Sequence, residues 1–489
     1  MRKISDFIFK AGALALLLTL VVFNHELSAR EYPGLPGDQA ARIDALFQAW
    51  DTAWTPGVAV AVVKDGAIAY ANGYGLAHLE YDIPITPSTV FHIASISKQF
   101  TTFSVLLLEA EGKLSLDDPI QQYIPELPDF GVTITLRHLA HNISGLRDQW
   151  NLLGMAGWRL DDIISTDQVL RLLSRQKELN FQPGDEYLYS NSGFTLLAEV
   201  VARVSGQSFA DFTRERIFEP LGMHNTLFYD DHEKIVKNRA YSYGIRNGNY
   251  QKRVLSYATV GATSLFTTVE DLSLWALNFD NPVVGDAAII EKINTRGVLN
   301  DGTQIAYALG QNVGAYRNIP MISHGGADAG YRTFLARFPE QGMAVVVFSN
   351  DAGFTSSPMA MRVADIVLEE YFADEPEDTK ETQATAEASA EDAFDPTSID
   401  LARFAGSYYS EELDITYVLE LRRDESGSQG LVASQLRVGD IRLTPITPET
   451  FRGSMWFAAR VVFETDEAGA VTGLRMSGSR ARNLWFKKI

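Results

Sequence analysis

Residues 374–395, DEPEDTKETQATAEASAEDAFD, place nine acidic residues beside one lysine and one aromatic. A stretch this charged and this poor in apolar side chains cannot bury enough surface to offset the entropy of ordering it, so it reads as a linker. It splits the 489 residues into two separate folding problems. The spans that follow are 38–371 for a main domain, 372–397 for the acidic linker and 398–489 for a small second domain.

The main segment carries strand patterns at both ends and helical patterns between them. A helix is expected over roughly 38–50. GVAVAVVKDGAIAYANGYG then gives strands at Val58–Val63 and Ala67–Gly73 around a Lys64-Asp65-Gly66 turn, because Asp-Gly between apolar runs is a strong hairpin signal. An apolar helix follows over Ser95–Glu111, closed by Gly112. Residues 135–285 read as mostly helical. YRTFLARFPEQGMAVVVFSN is a second strand pair around Pro339–Gly342, and a helix is expected over 358–371. The fold class is α+β, with an antiparallel sheet made by the two ends of the segment and a helical region inserted between them. Beyond the linker, DITYVLELRR, GLVASQLRV, IRLTPI, ARVVFET and VTGLRMSG are short alternating segments, which predict a small antiparallel barrel or sandwich.

The first 29 residues open with Arg2 and Lys3 and run without a charge from Ala11 to Phe23. That pattern predicts a secretory signal peptide, with an uncleaved N-terminal anchor as the alternative; the run is short of the roughly 20 apolar residues that span a bilayer. The mature chain is expected to be secreted or periplasmic, with no membrane span. Cysteine is absent, so no thiol chemistry or disulfide is available. A net charge of −20 excludes the electrostatic footprint of a nucleic-acid binder. Nothing in the sequence sets an oligomeric state.

The chemistry-bearing candidate is HIASISKQFT, where Ser95 and Lys98 stand one helical turn apart. A buried lysine loses its proton more readily and can accept one from a serine. Ser-x-x-Lys recurs at Ser174–Lys177, but there inside a polar-faced helical pattern, whereas Ser95 sits among Ile93, Ala94 and Ile96 where a helix begins. At a helix start, free N–H groups favour a developing oxyanion. Tyr189 and Asn191 form Tyr-x-Asn in a loop after a Pro-Gly turn. The same spacing at Tyr70–Asn72 and Tyr316–Asn318 lacks that context. His324-Gly325-Gly326 enters a strand, and two glycines allow close backbone approach by a ligand. His-x-Gly occurs nowhere else in the chain.

In this order the three motifs resemble those of the penicillin-binding and serine β-lactamase superfamily, and in particular its class C β-lactamase, DD-peptidase and esterase branch (peptidase S12). HNISGL, RIFEPLGMHNT, LFTTVEDLSLW and HGGADAGYRTFLARFP are similar to that branch over roughly 40–370. Some relatives carry a C-terminal lipocalin-like barrel, which accounts for 400–489. The resemblance implies Ser95 as nucleophile, Lys98 as its base and Tyr189 as a proton relay. Asn191 would bind Lys98 and substrate, His324 would take the third-motif place usually held by lysine in β-lactamases, and the N–H groups of Ser95 and Ala327 would form the oxyanion hole. Gly325, Gly326 and Arg332 would line the substrate site, Arg332 by pairing with a substrate carboxylate or only with a surface acid.

The function so implied is an exported serine hydrolase acting through a Ser95 acyl-enzyme on D-amino-acid peptides, esters or β-lactams. The rival is a slowly deacylating or non-hydrolytic sensor whose barrel binds a ligand or partner. Two departures, His324 in the third motif and Asn142 where many relatives carry threonine, weigh against an antibiotic-resistance role. Neither a metal nor an organic cofactor is expected: His138 and His141 make His-x-x-His without the further ligands a zinc site needs, and no Gly-x-Ser-x-Gly or phosphate-binding glycine loop occurs.

Overall fold

The computed structural model describes residues 32–372, 399–423 and 429–489. The signal-like stretch 1–29 and the acidic segment 374–395 lie outside the described residues. The described residues from Pro33 onward form one compact unit.

Six strands make the central sheet: β1 (Val58–Lys64), β2 (Ala67–Tyr74), β3 (Asn312–Tyr316), β4 (Ile319–Asp328), β5 (Tyr331–Phe338) and β6 (Met343–Ser349). Their order is β3-β4-β5-β6-β1-β2. The two ends of the segment meet where β1 runs antiparallel to β6, from Val58 opposite Ser349 to Lys64 opposite Met343. The β1–β2 turn has Asp65 and Gly66 both at positive φ, 51° and 77°, which is why Asp-Gly suits it.

All of Val58–Val63 is buried, because helices cover both faces of the sheet. Val58, Val60 and Val62 pack with Ile43 and Phe47 of the helix Gln39–Phe47 and with Met359 and Val363 of the helix Ser356–Val367. Ala59, Ala61 and Val63 join the opposite core with Phe100, Phe103 and Trp275. Each fully buried valine contributes roughly 1.5–3 kcal/mol, so the period-two alternation fixes the register of this strand.

The inserted region is less purely helical than its sequence suggests. A hairpin, Ser242–Arg246 with Asn249–Arg253, crosses it, and Leu265–Thr267 pairs with both Phe91–His92 and Leu227–Phe228. These short strands are too brief to leave a clear alternation in the sequence. The expected helix at Ser95 also starts later: Ala94–Ile96 is a 3-10 turn, and the α-helix runs Ser97–Ala110.

The C-terminal region is a closed barrel of eight antiparallel strands, each paired with its sequence neighbour and the last closing on the first through Tyr408 and Lys488. Phe404, Phe451 and Phe463 pack edge-to-face or tilted at 4.3–5.2 Å between ring centroids within it. The barrel is not a detached appendage. Its buried side chains are continuous with the main core, and the Tyr417 hydroxyl donates to the Met155 carbonyl at 2.8 Å.

The principal clasp is ionic. Arg147, with a fully buried side chain, donates to Glu412 of the barrel at 2.6 Å. Glu412 also accepts the Lys177 backbone N–H at 2.9 Å. Removing one member of a buried pair strands the other charge, a loss of about 3–5 kcal/mol. Glu412→Ala is therefore expected to lower the unfolding free energy by about 3 kcal/mol, the lower end because Arg147 keeps Glu178 and Gln176 as partners. Denaturant unfolding checks this, and an unchanged midpoint would show that the clasp is dispensable.

Candidate active site

A pocket of about 450 Å³ is lined by Ser95, Tyr189, Asn191, the run His324–Asp328, Arg332, Trp150 and Arg480 among others. The topology explains the convergence. Strand β4 pairs with β3 only over Ile319–Ser323, so from His324 to Asp328 it has no β3 partner beside the pocket. Its other side stays paired with β5 through Asp328 opposite Tyr331.

Ser95 is half-buried in the 3-10 turn, with buried neighbours on both sides. Ala94, just before it, is held at φ 49°, a left-handed conformation that costs an L-residue about 1–2 kcal/mol. The turn is wedged against β4 and β5. Thr333 Oγ1 donates to the Ile93 carbonyl at 3.0 Å, and a Cβ on Gly326 would sit 2.2 Å from that carbonyl and 2.3 Å from Thr333 Oγ1. Gly326 is thus required by the packing of the strand against the nucleophile turn, a reason distinct from ligand approach. Gly325 is less confined, its nearest contact being Phe334 at 3.3 Å.

Lys98 Nζ lies 3.1 Å from Ser95 Oγ, 2.9 Å from Asn191 Oδ1 and 2.7 Å from the Ala262 carbonyl. Those are three acceptors for three N–H bonds. On losing one proton the amine still donates to the amide and the carbonyl, leaving its lone pair for the serine hydroxyl. Burial pushes the Lys98 ammonium down to about 7. The charges of Asp328 and Asp148 oppose that shift, and Arg480 adds to it.

Asn191 is itself held. Buried Asp148 accepts both its backbone N–H and its side-chain Nδ2–H at 2.7 Å, and also caps the helix Gln149–Met155 through Trp150 N–H. Asp148→Ala removes a cap worth about 1 kcal/mol and leaves two buried N–H groups without an acceptor. The expected loss is about 3 kcal/mol of stability, with at least a roughly tenfold fall in turnover as Asn191 and Lys98 lose their alignment. Unfolding midpoints and kinetics on one preparation check both.

Tyr189 is half-buried beside this pair. Lys98 Nζ stands 4.8 Å from its ring centroid. Burial drives the phenol far above its ordinary range, and a hydrogen bond with Ser95 opposes this only in part. His324 adds no positive charge beside the phenol. His324 Nδ1 donates to the Gly325 carbonyl at 2.6 Å, so Nε2 is left to accept from the Tyr307 hydroxyl at 3.2 Å. Burial, reinforced by Lys98, pushes the imidazole down to about 3, so His324 is neutral. Arg332 is half-buried and donates to the carbonyls of Tyr331 and Ala329.

The other copies of the motifs are accounted for by structure. Tyr70 and Asn72 lie on β2 and donate to Asp44. Arg317 and Asn318 form the left-handed β3–β4 turn. Ser174 caps the C-terminal end of the helix Thr166–Leu173 instead of lying inside a helix. His138 Nδ1 accepts the Thr135 N–H in a helix cap, and among the described residues no group of His, Cys, Asp and Glu is arranged to hold a metal.

Sequence reading missed Asp148, Tyr307, Asp328 and Arg480. Asp148 follows HNISGL by two residues and precedes a helix, an N-cap signal. Asp328 accepts from Thr263 Oγ1 beside the pocket and is pushed up from the usual carboxylate range by burial. Tyr307 and Arg480 carry no local signal.

The Beta-lactamase family model matches residues 43–368. The D-aminopeptidase of Gluconobacter oxydans is 28% identical over 312 residues, 64% of this chain and 59% of that protein. Penicillin-binding protein 4* of Bacillus subtilis is 28% identical over 371 residues, 72% of this chain and 79% of its own. The chain thus spans less than two thirds of the D-aminopeptidase. Among solved structures, the octameric penicillin-binding protein homologue from Pyrococcus abyssi superposes with a TM-score of 0.58 at 23% identity, covering 92% of this chain and 99% of that one. The D-amino acid amidase from Ochrobactrum anthropi SV3 gives 0.58 at 22%, covering 68% and 99%. Both likenesses concern the fold.

Proposed function

Because the chain belongs to the β-lactamase family, we propose that it is an exported serine hydrolase that transfers acyl groups through an ester on Ser95, from D-amino-acid peptides, esters or β-lactams. The observation that carries this reading is the contact of Lys98 Nζ with Ser95 Oγ at 3.1 Å, in a site whose burial brings the ammonium down to about 7. A lysine so placed is half deprotonated at neutral pH, and as an amine it accepts the serine proton while Oγ attacks the carbonyl carbon.

The developing oxyanion is received by the backbone N–H groups of Ser95 and Ala327. Asn191 and the free edge of β4 hold the substrate backbone, with Gly325, Gly326 and Arg332 along the wall. Tyr189, kept protonated by its burial, passes a proton to the leaving group and is recharged with the one Lys98 took from Ser95. His324 remains neutral and holds the shape of the third motif through Gly325 and Tyr307. Water then attacks the ester carbonyl, its proton passing through Tyr189 to Lys98, and Lys98 returns a proton to Ser95 Oγ as the acyl–oxygen bond breaks. Names of relatives favour D-configured amide substrates, since both a D-aminopeptidase and a D-amino acid amidase are among them. Export rests on the charged-then-apolar N-terminus, and the division into 38–371 and 398–489 on the composition of the stretch between them. Among the described residues no helix is long and apolar enough to cross a membrane.

Purified protein offered chromogenic esters, D-amino-acid amides and penicillins, with intact-mass detection of the adduct, tests the reading. Sustained turnover together with an adduct on Ser95 is expected. A single burst without turnover would instead identify a sensor, and no adduct with any of the three would overturn covalent chemistry.

A further inference from the structure

Arg480 enters the pocket from the barrel, beyond the 43–368 span of the family match. It lies in the turn joining the strands Val471–Ser477 and Leu484–Lys488, closed by a Gly478 N–H to Ala481 carbonyl bond at 2.8 Å. The turn is fastened to the active-site loop. The Arg480 carbonyl accepts the Asp148 N–H and the Asn180 Nδ2–H, each at 3.0 Å. Asn180 in turn accepts the Arg482 N–H at 2.8 Å, and Arg482 pairs with Glu186 at 3.0 Å. A Cβ on Gly478 would meet Asn151 Nδ2 at 2.4 Å, so the turn is seated as closely as its backbone allows. Its main chain is bound to the same Asp148 that holds Asn191.

The side chain is treated differently. The guanidinium carbon lies 4.9 Å from the centroid of the Tyr189 ring. The barrel's other arginines near this seam are spoken for, Arg475 by Glu464 and Glu178 and Arg482 by Glu186. Among the described residues no carboxylate forms an ion pair with Arg480. A half-buried arginine with a fixed backbone, resting on the proposed proton donor and lining the nucleophile's pocket, presents its guanidinium to a substrate bound there. A guanidinium matches a carboxylate with two parallel hydrogen bonds, the geometry that gives arginine its selectivity for that group.

We propose that Arg480 is a specificity residue through which the barrel binds a carboxylate on the leaving-group side of the substrate. The side follows from Tyr189: the group that receives its proton is the one that departs, and Arg480 lies against that same ring. The substrate class is then an acyl peptide or depsipeptide whose last residue carries a free α-carboxylate, and the product released is that residue. This inference rests on the acyl-transfer reading above. It also assigns the barrel a part in substrate choice instead of ligand carriage, in keeping with the aromatic packing of Phe404, Phe451 and Phe463 within it.

The test compares two probes with the same acyl part, N-acetyl-D-alanyl-D-alanine and its C-terminal carboxamide, on the full-length chain. The wild type is expected to favour the carboxylate in kcat/KM. In Arg480→Gln that preference should fall roughly 10- to 100-fold, the value of a charge-assisted pair, and Arg480→Lys should recover part of it. Arg332→Gln serves as comparator, since Arg332 lines the same pocket. Equal losses on both probes in Arg480→Gln would overturn the proposal in favour of a structural or purely electrostatic role. Loss of the preference in Arg332→Gln but not in Arg480→Gln would overturn it too. Thermal unfolding of each variant identifies misfolding, and the Lys variant, which keeps the charge and the stem, still decides the question if Gln fails to fold. A wild type that hydrolyses activated esters but neither dipeptide would sink this inference and leave the acyl-transfer reading standing. One that acquires no adduct from any substrate would sink both.

Discussion

Ser95→Ala is expected to lower turnover by about 10⁵-fold or more and to abolish the covalent adduct, whereas Ser174→Ala keeps turnover within about twofold of wild type. Both serines precede a lysine by three residues, so the contrast isolates what the fold adds to the motif. Ser95 is presented on a strained turn braced by Ile93 and Gly326, with Lys98 sealed beneath it and committed to three acceptors. Ser174 donates to the Arg171 carbonyl at a helix end, and Lys177 is drawn to Glu411 of the barrel. Its ammonium is exposed to solvent, whereas that of Lys98 is fully buried. Folding should be little affected by Ser95→Ala, since one hydrogen bond to a charged group is lost while Lys98 keeps Asn191 and Ala262. Rates on a chromogenic ester with intact-mass spectra decide the matter, and equal losses from the two substitutions would remove Ser95 from the mechanism.

What the sequence made legible follows contact distance along the chain. The β1–β2 hairpin, the helix after Ser95 and the Ser–Lys pair are local patterns, readable because their period or turn chemistry lies within a few residues. The pairing of β1 with β6 was inferable from apolar runs at both ends of the segment. The short strands at Phe91–His92 and Leu227–Phe228 were not, because two residues cannot display a period. Site residues divide the same way. Tyr189, Asn191 and His324 stand in recurrent local motifs, whereas Arg480 reaches Tyr189 only because a barrel turn is fastened to Asp148 from more than three hundred residues away. The charge states were beyond the sequence for a related reason. Neutral His324 and the strongly raised Tyr189 result from burial, which many distant segments create together.

Those charge states carry the second large expectation, that the pH dependence of both chemical steps belongs to Lys98 and not to Tyr189. Acylation should rise with pH through an apparent pKa of about 7 and level off, as Lys98 changes from ammonium to amine. Stability should rise over the same direction, from about pH 7 toward the lysine's ordinary value of 10.5, since the unfolded chain keeps a proton the folded one has released. If Tyr189 served as a standing phenolate, deacylation would instead keep climbing well above pH 9, because burial pushes its ionisation upward. A relay needs no ionised tyrosine: the hydroxyl takes the water proton as it yields its own toward Lys98. On that account Tyr189→Phe breaks the path in both steps. The second suffers more, because Ser95 can deliver its proton directly to Lys98 at 3.1 Å while the incoming water has no such contact. Turnover should fall by roughly 10²–10⁴-fold, the usual contribution of a positioned proton-transfer group, and the penicillin adduct should outlive that of the wild type. Stopped-flow acylation and the decay of the adduct mass, each followed from pH 5 to 10, separate the cases. A wild-type deacylation limb above pH 9 would make Tyr189 a phenolate base instead of a relay, and an adduct in Tyr189→Phe that forms slowly yet decays at the wild-type rate would confine Tyr189 to acylation.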